Sequence, residues 1–161
     1  MPNDETLLRR IRILLAIVIA GLIASGLSAL PLLSEVAKLD GWVNALGCPA
    51  FVTQWIGRVH QGLEKTYAAY PFIGYGTDWL AFGHFVIALF VVGAYIDPMR
   101  NVWIIRASMI ACVLVVPTAL VAGAIRGIPW WWRAIDSSFG IVGFVPLWIA
   151  DRMIRGLPRT V

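Results

Sequence analysis

Cysteine is scarce in this chain, with 2 in 161 residues, and so few thiols exclude the disulfide framework of a small secreted fold. Cys48 sits in the long connection between the first two apolar runs and Cys112 inside an apolar run, and no Cys-x-x-Cys pair is present for thiol–disulfide exchange. Histidine is equally rare, at 2. No His-Glu-x-x-His zinc signature, glycine-rich phosphate loop or Gly-x-Ser-x-Gly elbow occurs, which weighs against an enzyme. Charged residues make up only 14% of the chain. The formal charge of +4 comes from arginines beside the ends of apolar segments, where they orient helices in a bilayer, so no nucleic-acid partner is expected.

Apolar residues are abundant: 60% of the chain is hydrophobic and the mean hydropathy is +0.80. A water-soluble domain of this length leaves too much of its surface exposed to hide that content, so lipid is the expected solvent. A helix needs roughly 20 apolar residues to cross a bilayer, and four stretches meet that need, at about 13–33, 79–96, 102–125 and 137–154. The fold class read from the sequence is therefore an all-α integral membrane protein, a single four-helix domain over 1–161. Arg9, Arg10 and Arg12 precede the first stretch as in a signal peptide, but the run is too long for one and lacks a clean cleavage site.

Residues 34–78 form a long connection of mixed charge, expected outside the cytoplasm. Within it Phe51, Val52, Trp55, Ile56, Val59, Leu63, Tyr67 and Tyr70 recur at helical spacing, with Pro49 suited to a first turn. An amphipathic surface helix over about 49–69 fits this pattern. The short turn at 97–101 makes the second and third spans antiparallel neighbours. Pro129 and the three tryptophans Trp130, Trp131 and Trp132 mark a membrane boundary before the fourth span, since indole prefers the headgroup level. Ala20, Ala24 and Ser28, with Gly21 and Ser25 beside them, form a small-residue face in the first span that admits close helix packing.

Arg9, Arg10, Arg12, Arg100, Arg106, Arg152, Arg155 and Arg159 lie on the side of both termini, against Lys38, Arg58, Lys65, Arg126 and Arg133 opposite. The excess places both termini in the cytoplasm, and a bacterial inner membrane is the matching location. Cys48 follows Leu46 and Gly47, a weak echo of lipoprotein processing; a turn residue before Pro49 is the simpler reading.

Polar groups at membrane depth are candidate sites. His84, inside the second span with Thr77, Ala81, Ala88 and Tyr95 on its face, is either a histidine bonded within the bundle or an axial ligand for haem or a chlorophyll-type pigment. His60 has Glu64 one turn on and reads as a solvated pair. At the outer boundary Asp78, Arg126, Arg133 and Asp136, with Tyr75, Trp130 and Trp131, read as ion pairs or as a pocket for a polar headgroup. At the inner boundary Asp97, Arg100, Arg106, Asp151 and Arg152 form ion-pair candidates, with Arg106 reaching Asp97 or Asp151. No metal site is expected. The leading functional expectation is a small subunit or accessory protein of a larger membrane assembly, partnered by lipid and by other subunits or copies of itself. The alternatives are a binding module for a pigment, haem or lipid-like molecule, and an enzyme or transporter acting through Asp78, Arg126 and Asp136.

Overall fold

A computed structural model describes residues 4–157; Arg159, counted above among the cytoplasmic charges, lies outside them. The described residues are helical throughout, without a strand. Helix α1 covers Asp4–Ala29, α2 Leu32–Ala45, α3 Ala50–Ala69, α4 Tyr75–Ile96, α5 Val102–Ile125 and α6 Trp130–Arg155, with a single tight turn at Pro71–Gly74 leading into α4. Four stretches, Asp4–Ala29, Pro71–Ile96, Val102–Ile125 and Trp130–Arg155, are long and apolar enough to cross a membrane.

The boundaries differ from the sequence reading in several places, and α1 begins at Asp4 and α4 at Tyr75, ahead of 13 and 79. The first span ends at Ala29 instead of continuing to 33, because the ring of Pro31 disfavours helical geometry in the residue before it and removes a backbone donor. The start of the 34–78 stretch is not a loop: α2 covers it as far as Ala45 and pairs with α3 in a helical hairpin. Helix α6 begins at Trp130, seven residues earlier than 137, so the tryptophans belong to its first turn. The amphipathic helix over 49–69 is present as α3, with Pro49 capping its start.

The two hairpins turn alike. Helix α2 ends on Gly47 at φ 65°, where Cys48 N–H donates to the Val43 carbonyl at 3.0 Å. Helix α5 ends on Gly127 at φ 69°, where Ile128 N–H donates to the Gly123 carbonyl at 2.9 Å. In each the glycine takes the left-handed conformation that closes a helix, and a proline two residues later starts the next one. The turn at 97–101 is held differently: Asp97 Oδ1 accepts the Arg100 N–H at 3.0 Å, and Asn101 Nδ2 donates to the Gly93 and Asp97 carbonyls.

The chain divides into two compact units, one formed by the chain up to Gly21 and from Ile87 onward, the other by Leu22–Val86. In the first, α5 and α6 pack along a seam of small residues. A Cβ on Gly140 would run into the Cys112 carbonyl oxygen and one on Gly143 would lie 3.0 Å from Cys112 Sγ. The close approach that hydrophobic attraction does not supply in lipid comes from such contacts. Near its Arg155 end the seam continues through Leu147, Ala150 and Ile154, all buried. In the second unit, Gly26 is buried against Phe85 and the Ala81 carbonyl. There Asp40 joins α2 to α3, accepting from Asn44 Nδ2 at 3.0 Å and meeting His60 Nδ1 at 2.9 Å. The partner of His60 is thus Asp40 on the neighbouring helix, and the Glu64 pairing read from sequence gives way to it.

Candidate functional site

A groove of about 530 Å³ lies on the α5–α6 hairpin. Its floor follows one face of α5 from Ala111 through Thr118 and Ala122 to Arg126, and Ile128 and, from α6, Asp136 also line it. Residues at this spacing recur on one side of a helix. The fifteen-residue separation corresponds to about 22 Å, longer than the roughly 15 Å of one leaflet's hydrocarbon. Small side chains make the depression, and Thr118 turns its hydroxyl back onto the Leu114 carbonyl at 2.7 Å, so the floor presents methyl groups. Pro117 contributes no N–H, and α5 nonetheless runs unbroken past it.

The charges that line it carry the chemistry. Among the described residues neither the Arg126 guanidinium nor the Asp136 carboxylate enters an ion pair. Asp136 is half-buried and Arg126 exposed. A cation and an anion lining an apolar groove fit a molecule with a charged or zwitterionic head and a hydrocarbon tail.

Arg133, three residues before Asp136, does other work. Its stem crosses α5 at Gly123, where a Cβ would come within 2.6 Å of Arg133 Cγ and Cδ, and its Nη1 donates to the Leu120 carbonyl at 3.2 Å. The arginine thereby fixes the Trp130 end of α6 against α5, while its buried Nε has no hydrogen-bond partner among the described residues. Trp130 is exposed, and Trp131 meets Trp132 edge to face at 5.5 Å. Asp78 and Tyr75 belong to the other unit, in the first turn of α4. Tyr75, Trp79 and Phe82 there form a ladder of edge-on rings, with centroids 5.9 and 5.5 Å apart. The structure therefore places Arg126 and Asp136 along one groove and gives Arg133 a structural contact.

His84 bonds within its own helix. Its Nδ1 lies 2.8 Å from the Leu80 carbonyl oxygen, which can only accept, so Nδ1 carries the proton and a neutral ring keeps its lone pair on Nε2. That tautomer suits an axial ligand as well as a packed histidine. No cluster of three histidine, cysteine or acidic side chains able to hold a metal ion occurs among the described residues.

At the opposite end of the α5–α6 hairpin, Asp151 is buried at 1% exposure. Arg106 Nε donates to its Oδ1 at 2.9 Å and Arg155 Nε to its Oδ2 at 2.9 Å, with Arg155 Nη2 also on Oδ2. Arg106 thus chooses Asp151, while Asp97 is occupied by the backbone of its own turn. Arg152 lies over the Trp148 ring at 5.0 Å, a cation–π contact, and Arg100 is exposed. The sequence reading missed Arg155 as a partner, although its place one turn after Asp151 was the available signal.

Comparison with known protein families, with curated proteins and with solved structures finds no match. The chemistry of these sites is what bears on function.

Proposed function

We propose that this chain is a membrane-embedded binding module that seats an amphipathic, lipid-like molecule along the α5–α6 groove. The single observation that carries the reading is that two charges, Arg126 and Asp136, line an apolar groove without an ion-pair partner among the described residues. Charges at membrane depth are costly and ordinarily pair; a ligand head with complementary charge supplies the missing partners. In this reading the four long apolar helices cross a bacterial inner membrane with both termini in the cytoplasm, in keeping with the excess of arginine on that side. A reporter fused after Val161 that is active only in the cytoplasm is expected to be active; activity only of a periplasmic reporter would reverse the orientation.

The test is recovery of a stoichiometric amphiphile. Protein purified in mild detergent is expected to yield one such molecule per chain by mass spectrometry. Arg126→Gln and Asp136→Asn are each expected to cut that recovery about tenfold, the worth of one charge-assisted hydrogen bond. Equal recovery from wild type and the double variant would overturn the assignment.

A second reading, a subunit of a larger assembly, is favoured by the small-residue face of α1. Ala20, Gly21, Ala24, Ser25 and Ser28 are all exposed, and nothing lies within 4 Å of a Cβ built on Gly21. Such a face admits a partner helix at close range. Ala24→Leu is expected to abolish a copurifying partner while leaving the amphiphile bound; retention of the partner would remove this reading.

A further inference from the structure

We propose that the aqueous end of the α1–α4 pair, where α1 begins and α4 ends, holds the phosphate of an anionic phospholipid. This site is separate from the α5–α6 groove and does not depend on it. A cleft of about 350 Å³ lies there, lined by Arg9, Arg12, Ile13, Ala16 and Tyr95.

Arg12 is already positioned. Its Nε and Nη2 donate to the Tyr95 and Ile96 carbonyls at 3.3 and 3.2 Å, which belong to the last turn of α4 and have no helical N–H to accept. These two bonds fix the guanidinium plane and leave three of its five N–H groups unspent. Arg9 lies one turn earlier on the same side of α1, is exposed, and enters no ion pair among the described residues. Two guanidiniums one helical turn apart, one of them held, form a fork suited to the oxygens of a phosphate.

Farther along α1, Ile13 and Ala16 supply an exposed apolar floor, and Tyr95 adds an exposed ring with a hydroxyl. The cleft thus passes from cationic to apolar over the seven-residue rise from Arg9 to Ala16, about 10 Å. A free phosphate has no use for that floor, whereas a phospholipid places its phosphate over the start of its hydrocarbon. Among the described residues neither Arg9 nor Arg12 is ion-paired with Asp4, Glu5 or Asp97, so no carboxylate of the chain occupies these guanidiniums.

The experiment is a lipid titration of the full chain in neutral detergent, read by native mass spectrometry, with phosphatidylglycerol and phosphatidylcholine as probes. One phosphatidylglycerol per chain is expected, with phosphatidylcholine at least about tenfold weaker. Arg9→Gln is expected to weaken phosphatidylglycerol about tenfold, the loss of one charge-assisted contact. Arg9→Lys is expected to lose less, and Arg10→Gln, outside the cleft, to bind as wild type does. Arg12 is left intact because it also caps α4. Equal affinity of wild type and Arg9→Gln, or of the two lipids, overturns the proposal. Displacement of the lipid by millimolar inorganic phosphate would assign the site to a free anion and overturn the lipid source.

Discussion

Gly140→Leu is expected to prise α5 from α6 and to cost about 3 kcal/mol or more, a fall in melting temperature of roughly 9 °C for a chain of this size. At Gly140 the first added carbon already meets the Cys112 carbonyl oxygen, and Val115 Cβ lies 3.2 Å away. The oxygen belongs to helix backbone and cannot rotate aside as a side chain does, so the helices must separate along the seam. Separation also uncovers Cys112, whose thiol lies beside Gly143. Faster maleimide labelling of Cys112, in a Cys48→Ala background, is therefore the second readout. Gly140→Ala is expected to show the same effects at smaller size. Gly62→Ala, where nothing lies within 4 Å of the added methyl, is expected to be neutral or to stabilise by about 0.5 kcal/mol through lost unfolded-state freedom. If Gly140→Leu melts with wild type and labels no faster, the described seam is wrong.

The Asp151 cluster predicts an unequal cost for removing its two halves. Arg106 and Arg155 keep 46% and 64% of their side-chain surface exposed, whereas Asp151 keeps 1%. With Asp151→Ala both arginines return to water, so the cost is expected near 2 kcal/mol, discounted because the guanidiniums were partly hydrated already. With Arg106→Gln and Arg155→Gln together, the buried carboxylate loses both cationic partners, and the cost is expected at about 3–5 kcal/mol. Each single arginine variant is expected to fall below the pair by more than half, since either guanidinium alone still neutralises the carboxylate. The ordering is checked by thermal unfolding in detergent of all four variants. A larger loss for Asp151→Ala than for the double arginine variant would show that the arginines, not the carboxylate, are the groups held out of water.

Much of the helical content was legible because it is a local property. Apolar length located the four long helices, and the spacing of Val52, Ile56 and Val59 with a leading Pro49 located α3. Helix α2 was hidden by Glu35, Lys38, Asp40 and Gly41, which break any apolar run. It is stabilised from outside itself, through pairing with α3 and the Asp40–His60 contact 20 residues apart. The start of α6 was misplaced because tryptophan marks a membrane boundary whether or not it is helical, and only the Pro129 geometry with the preceding Gly127 turn shows where the helix begins.

Among the candidate site residues, type and approximate depth were readable, and partners were not. Arg126 and Asp136 were singled out from sequence together with Arg133 and Asp78, yet only the first two line the groove. Arg133 is drawn onto α5 because Gly123 leaves room for its stem. Arg12 finds the end of α4 across 83 residues of sequence. The sequence by itself determined which helices are long and apolar enough to span a bilayer, and that its polar groups gather near their ends. Those follow from sums over neighbouring residues. The tertiary structure decided which charges meet and which remain unpaired, because that depends on the rotation of each helix about its axis and on the close approaches its glycines permit.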